Sequence, residues 1–168
     1  MHTIVRQAVV TDARRIAEIN VEVWRAAYRG IAPDALLDSL SVADREPRWH
    51  AWIGDGNGAI LVAERGQEVI GYCASRAPSR DEDAEADVAE IAALYVDAGQ
   101  WRSGAGTALM TAALDHIRAG GSREVTLWAF AANARAIAFY RRHGFLPDGA
   151  ETVEERTGAT EIRFRLKL

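Results

Sequence analysis

The segment Tyr95-Val96-Asp97-Ala98-Gly99-Gln100-Trp101-Arg102-Ser103-Gly104-Ala105-Gly106-Thr107 is the part of the chain whose residue types and spacing best suit chemistry. It reads as the end of a strand, a glycine-bearing turn and the start of a helix. Successive backbone N–H groups at such a turn, with the positive end of the helix dipole, make an anion site, and glycines let a ligand approach the backbone. A triphosphate loop needs Gly-x-x-x-x-Gly-Lys-Ser/Thr. Gly99 and Gly104 have that spacing, but Ala105 and Gly106 stand where Lys and Ser/Thr are required. A dinucleotide fingerprint needs Gly-x-Gly-x-x-Gly. Gly104 and Gly106 supply two positions, Leu109 replaces the third, and the segment follows an antiparallel hairpin. What remains is an anion-binding turn of another kind, or a plain strand–helix connection. Cys73 lies in an apolar run with no assignable His or Asp partner, where a thiol is a small hydrophobe. His2, His50, His116 and His143 share no metal-ligand spacing, so no metal is expected.

The elements that must position this turn follow from periodicity. Thr3–Ala8 reads as a strand. Thr11 or Asp12 is placed to cap a helix whose apolar residues Ile16, Ile19, Val23, Trp24 and Ala27 recur at the helical period. Gly30 and Pro33 end it. A second helix is expected from about Val42 to Ile53, followed by a turn over Gly54–Gly58. Ala59–Ala63 and Val69–Ala74 flank a glycine-bearing turn and read as a hairpin. Arg76–Ala89 is a polar loop rich in carboxylates, and Glu90–Val96 is a strand. Helices are expected over about Gly106–Ala119 and from an Asn133 cap to Arg142, where Gly144 stops the second. Glu124–Ala129 and Ile162–Leu166 read as strands. The order implies a three-layer mixed α/β (α+β) fold: a mostly antiparallel central sheet flanked by helices, with one strand–helix–strand unit in its second half.

The 168 residues make one domain, 1–168, and a chain of that length buries about two thirds of its unfolded surface without a disulfide or metal. Hydrophobic residues at 49% and charged residues at 26% exclude disorder, collagen and coiled coil. The net charge of −4 is not the footprint of a general nucleic-acid binder. No apolar run approaches the ~18 residues of a membrane span. Neither a signal peptide nor a disulfide framework is visible, since Cys73 is the single cysteine, and a cytoplasmic location is expected. Lys167 is the only lysine among 20 basic residues, and alanine is abundant, which reads as a GC-rich bacterial genome.

A second motif lies one strand beyond the glycine turn. Asn133, Ala136, Phe139, Tyr140, Gly144 and Phe145 follow the pattern Asn-x-x-Ala-x-x-Phe-Tyr-x-x-x-Gly-Phe. With Gly104 and Gly106 in an Arg/Gln-x-x-Gly-x-Gly/Ala loop, the chain resembles a GNAT superfamily N-acetyltransferase. The resemblance covers nearly the whole chain in element order and is most specific over Glu90–Phe145. Trp101 departs from the loop's first position.

The resemblance implies that the strands before the loop and after its helix splay apart. Leu94, Tyr95 and Val96 would then offer backbone groups to the pantetheine of acetyl-CoA. Arg102, Ser103, Gly104, Ala105, Gly106 and Thr107 would hold its pyrophosphate, and Asn133 would touch the pantetheine arm. Tyr140 is implied as the acid that protonates the leaving thiolate, since a phenol of pKa near 10 can supply a proton to a thiolate of about 8.5. A free alkylamine is mostly protonated at pH 7, and reaching its neutral form costs roughly 4 kcal/mol. Glu90, acting through water, is the implied base. Trp24 and Tyr28 lie in the region that lines the acceptor site in this family, and the carboxylates of Asp81–Asp87 suggest an amine borne by a cationic molecule. The expected activity is direct acetyl transfer to a small-molecule or peptide primary amine in a ternary complex. Nucleic acid and membrane are excluded as partners, and a homodimer is left open. A non-catalytic acyl-CoA sensor and a protein N-terminal or ribosomal-protein acetyltransferase are the alternatives.

Overall fold

The computed structural model describes residues 2–56 and 58–168, so Asn57 of the expected Gly54–Gly58 turn lies outside the described residues. The elements are β1 (Ile4–Gln7), α1 (Ala13–Ala27), α2 (Asp34–Ser39), α3 (Val42–Asp55), β2 (Ala59–Arg65), β3 (Glu68–Arg76), β4 (Val88–Val96), α4 (Ala105–Ala119), β5 (Glu124–Phe130), α5 (Ala134–Arg142), β6 (Leu146–Val153) and β7 (Thr160–Lys167). The strands form a seven-stranded sheet in the order β1-β2-β3-β4-β5-β7-β6. Neighbours are antiparallel except β4 and β5, which run parallel. A parallel pair needs a crossover, and α4 supplies it. The mixed, mostly antiparallel sheet with flanking helices is the architecture expected from the sequence.

Two apolar layers grip the sheet. On one face α4 buries Leu109, Met110, Ala113 and Ile117 against Cys73, Ile91, Val125, Leu127, Phe145 and Phe164, with Ile137, Phe139 and Tyr140 of α5 packed beside them. On the other, Ile16, Ile19 and Val23 of α1 and Trp49 of α3 meet Val62, Tyr72 and Ala74. Each such side chain contributes about 1.5–3 kcal/mol when fully buried. Trp24, Tyr28, Leu37 and Phe130 form a third cluster that ties α1 and α2 to the end of β5.

The structure departs from the sequence reading in four places. Asp12 does not cap α1. Its carboxylate accepts from Val9 N at 2.8 Å and from Arg6, closing the short turn before the helix. Helix α2 was not expected, because six residues behind Pro33 are too few to show a period. Strand β6 was also missed, since Pro147 and Gly149 are breakers; it survives as an exposed edge strand with an irregular register against β7. The polar loop is shorter than Arg76–Ala89, because β3 reaches Arg76 and β4 starts at Val88.

Candidate active site

Strands β4 and β5 pair only at Val88↔Glu124, Ala89↔Val125 and Glu90↔Thr126. Beyond Glu90 and Thr126 they part, so Ile91–Val96 has β3 on one edge and no strand on the other. A register shift across from Ala74 and Ser75 bends β4 at this point. The gap opens into a cleft of about 650 Å³. Its walls come from both faces of the sheet: Val23 and Ala27 of α1 with Tyr28 just past its end on one, and Gly106, Thr107, Phe139 and Tyr140 of α4 and α5 on the other. The cleft therefore passes through the sheet.

Leu94, Tyr95 and Val96 line this gap, as expected, and their free edge can pair with an extended amide-bearing chain. At its mouth α4 starts from Gly104, whose φ is +87° and which no side chain assists as a cap. The first N–H groups of a helix have no partner inside it. Those of Ala105, Gly106 and Thr107 are left for an anion, reinforced by the helix dipole. A Cβ on Gly106 would lie 3.3 Å from the Phe139 ring, so glycine lets α4 approach α5. Gly104, Gly106, Thr107 and Arg102 line the cleft. Ser103 and Ala105 do not: Ser103 is exposed, and Ala105 is in the core at 1% exposure.

Asn133 both caps α5 and lines the cleft. Its Oδ1 accepts from Ala136 N at 3.2 Å, and its amide NH₂ stays available. Trp101 turns its ring inward, where Nε1 donates to Val96 O at 2.7 Å. The Arg135 guanidinium lies 3.2 Å from the centre of that ring. Burial, with Arg102 close by, lowers the Arg135 pKa. With Arg142, three guanidinium groups ring the cleft, a set suited to phosphates. Arg135 and Arg142 were not singled out from sequence, although Arg135 stands in the first turn of α5, two residues past its cap.

Tyr140 lines the cleft on the α5 side and packs against Phe139, Phe145 and Phe164. Its hydroxyl has no hydrogen-bond partner among the described residues. Burial raises its pKa, so the phenol keeps its proton. Tyr28 faces it from just past the end of α1, with its hydroxyl 3.1 Å from that of Tyr95. Burial raises the pKa of both.

Glu90 stands at the vertex of the splay, in the last β4–β5 pair. It is 9% exposed, with Oε1 3.0 Å from Arg76 Nε and Oε2 3.4 Å from Ser79 Oγ. The Arg76 contact is an ion pair without hydrogen-bond alignment. Glu90 does not line the cleft.

Trp24, expected at the acceptor site, does not line the cleft either. It is 7% exposed and packs edge-on against Tyr28 and Phe130, one helical turn below Tyr28. Of the carboxylates expected to attract cations, Asp81, Asp83 and Asp87 have partners within the protein, while Glu82 and Glu85 are exposed. Asp81 holds Trp128 Nε1 and Thr126, Asp83 makes a two-pronged pair with Arg163, and Asp87 lies 3.6 Å from Arg123. Cys73 is buried, and burial pushes its thiol up to about 12. Among the described residues no group of His, Cys, Asp and Glu could hold a metal, and no helix is long and apolar enough to cross a membrane.

A sheet opened at its one parallel junction, with an uncapped helix N-terminus and three guanidinium groups at the mouth, is the architecture of acyl-CoA-dependent transferases. Residues 17–145 match the acetyltransferase (GNAT) family, and the chain belongs to it. It is 30% identical over 139 residues to YuaI, an uncharacterised N-acetyltransferase of Bacillus subtilis, covering 83% of this chain and 78% of that one. Its fold is similar to that of the PaiA N-acetyltransferase of Thermoplasma acidophilum solved with coenzyme A, with a TM-score of 0.78, 20% identity and full coverage of both chains. It is likewise similar to the acetyltransferase YncA of Salmonella typhimurium solved with acetyl-CoA, with a TM-score of 0.76 and 20% identity over 100% of this chain and 95% of that one. The protein is thus an acetyl-CoA-dependent acyltransferase of this family.

Proposed function

We propose that residues 1–168 act as one domain that moves an acetyl group from acetyl-CoA to a primary amine by direct attack, with both substrates bound at once. The cleft that crosses the sheet carries this reading: a donor on the α4/α5 face and an acceptor on the α1 face can meet at the splay. The donor's groups find fitting partners. Orphan amides of α4 and Arg102, Arg135 and Arg142 suit its phosphates, and the free edge of β4 with Asn133 suits the pantetheine amides. Acetyl-CoA supplies the activated thioester.

The chain's own residues then move two protons. Glu90, through water, takes one from the ammonium form and so frees the lone pair with which the nitrogen bonds to the acetyl carbon; the bonded nitrogen's surplus proton replaces the one that Tyr140 gives up. Tyr140 gives one to the sulfur as the carbon–sulfur bond breaks. No enzyme nucleophile is needed, and the buried Cys73 with its raised pKa is unsuited to that role. The cationic acceptor suggested by Asp81–Asp87 is supported less by Asp81 and Asp83, which pair with Arg163, than by the exposed Glu82 and Glu85.

The test is an acetylation screen over polyamines, amino acids, aminoglycosides and peptides, read by free-thiol release. Tyr140→Phe should bind coenzyme A as tightly as the parent and turn over ~10²–10⁴-fold more slowly. Equal rates in the two proteins would remove Tyr140 from the chemistry.

A further inference from the structure

On the α1 face, beyond Tyr95, charged side chains gather that the transfer chemistry does not use. Arg45, from the first turn and a half of α3, is half-buried, and its guanidinium carbon lies 5.1 Å from the centre of the Trp24 ring. Its position is built rather than incidental. The side chain of Asn20 is buried at 4% exposure, donates through Nδ2 to the Tyr72 hydroxyl at 2.6 Å, and accepts from Arg45 Nη1. Tyr72 is itself fully buried and is the register partner of Tyr95, a wall of the cleft. A buried relay from β3 through α1 thus aims Arg45.

No carboxylate lies within ion-pair distance of Arg45 among the described residues. The one bond to Asn20 leaves most of the five guanidinium donors without a protein acceptor. Burial lowers the Arg45 pKa, and the nearby Arg156 and Arg48 add to that. Arg156 comes from the β6–β7 turn and lies 5.3 Å from the same Trp24 ring, while Glu154 holds its Nε at 2.7 Å. Folded proteins pair half-buried charges, because an uncompensated one costs free energy. Of the two guanidinium groups on this indole, the exposed one, Arg156, is paired with Glu154, and the half-buried one, Arg45, lacks an acid.

The same face carries one carboxylate without a partner. Glu161 of β7 is half-buried and stands opposite Phe130, so both side chains lie on the α1 face of the sheet. It makes no hydrogen bond or ion pair among the described residues. Burial, and then Glu154, raise its pKa. Arg45 and Glu161 both act electrostatically on the Tyr95 hydroxyl, in opposite senses. Arg45 and Glu161 do not line the cleft themselves but lie behind its Tyr28 and Tyr95 wall, and a cation and an anion that both lack a partner there fit a ligand that carries both charges.

We propose that the acceptor is an amine that also bears a carboxylate, as a free amino acid does, with Arg45 and Arg156 receiving the carboxylate and Glu161 meeting the ammonium group. This rests on the acetyl transfer proposed above and names the substrate class of that site.

The test compares free α-amino acids with their primary amides in the thiol-release assay, using the full chain. The acids should be used with kcat/KM at least 10-fold above the amides, the gap lying in KM. A charge-assisted guanidinium contact corresponds to roughly 10- to 100-fold, so Arg45→Gln should shrink the acid-to-amide ratio by about that factor. Arg45→Lys should restore part of it. Arg156→Gln should shrink the ratio too, and it serves as the second variant if Arg45→Gln fails to fold by circular dichroism. Equal use of acids and amides, or a ratio unmoved by both Gln variants, would overturn the assignment. Turnover of polyamines or peptides with none of free amino acids would overturn it while leaving acetyl transfer intact. Silence on every amine, with coenzyme A still bound in calorimetry, would overturn the acetyl transfer itself.

Discussion

Gly104 is the residue on which the donor site turns, and replacing it gives a prediction whose size follows from the backbone. Its φ of +87° places it in the left-handed region, and no heavy atom lies within 4 Å of where a Cβ would stand. The penalty for a side chain is therefore conformational, not a clash. Left-handed geometry costs an L-residue roughly 1–2 kcal/mol, and more for a β-branched one. That cost can fall on either of two equilibria. If the loop keeps its shape, folding bears it, and for a chain of this length Tm drops about 2–4 °C per kcal/mol. If the loop relaxes, the amides of Ala105, Gly106 and Thr107 swing away, and binding bears it at about 1.4 kcal/mol per tenfold. Calorimetric titration of coenzyme A and a thermal melt on the same sample capture both. Gly104→Val should lose about 30-fold in affinity where binding bears about 2 kcal/mol of this cost, and melt correspondingly lower where folding bears it. Gly104→Asn should lose less than about 5-fold, since asparagine visits this region. A folded Gly104→Val with parental affinity and parental Tm would refute the role given to this turn.

Three further outcomes are expected. In Glu90→Gln, kcat/KM should fall most below the amine pKa and recover at high pH, where the amine is already neutral; a loss that is uniform with pH would make Glu90 a positioning residue instead. Asp83 is held down to about 2 by the Arg163 guanidinium, so its contribution to stability is present above its ordinary value of 3.8 and is lost as pH falls through about 2; denaturation curves of Asp83→Asn should accordingly be flatter than the parent's between about pH 4 and 2, and identical slopes would mean the pair is not formed in solution. Cys73, buried and with its thiol pushed up to about 12, should resist iodoacetamide at pH 8 in the folded protein and react promptly in denaturant; modification of the native form, seen by intact mass, would contradict its burial.

The donor side was legible in the chain because its signals are local. Gly104 and Gly106 sit three and five residues past Trp101, Asn133 heads its own helix, and Tyr140 lies seven residues further on the same helix. Periodicity also placed every strand up to β5, because each alternates or runs apolar over its own length. Arg135 escaped notice for a compositional reason: in a chain whose basic residues are nearly all arginine, one more carries no signal. Strand β6 escaped because its pairing with β7 overrides its own residues, with Pro147 and Gly149 tolerated on an exposed edge.

The acceptor side was harder to read because its charges are set by partners far away in sequence. Asp81 and Asp83 look like one solvated acidic rim until Arg163, 80 residues beyond Asp83, pairs with both through a side chain only 7% exposed. That pairing offsets part of the negative charge on which a cationic acceptor was argued, while Glu82 and Glu85 stay exposed. Conversely, Arg45 looks like one surface arginine among many until Asn20 and Tyr72 are seen to aim it across the Trp24 ring. The sign of the acceptor site is therefore a property of tertiary pairing, not of any run of like charges. A carboxylate satisfied inside the fold offers a ligand little, and a guanidinium left half-buried without an acid offers much. The same accounting separates the two ends of the cleft. At the donor end the positive charge lies on backbone amides and on Arg102, Arg135 and Arg142, where phosphates go. At the acceptor end, under the proposal made above, the choice of amine falls to Arg45 and Arg156, balanced by Glu161.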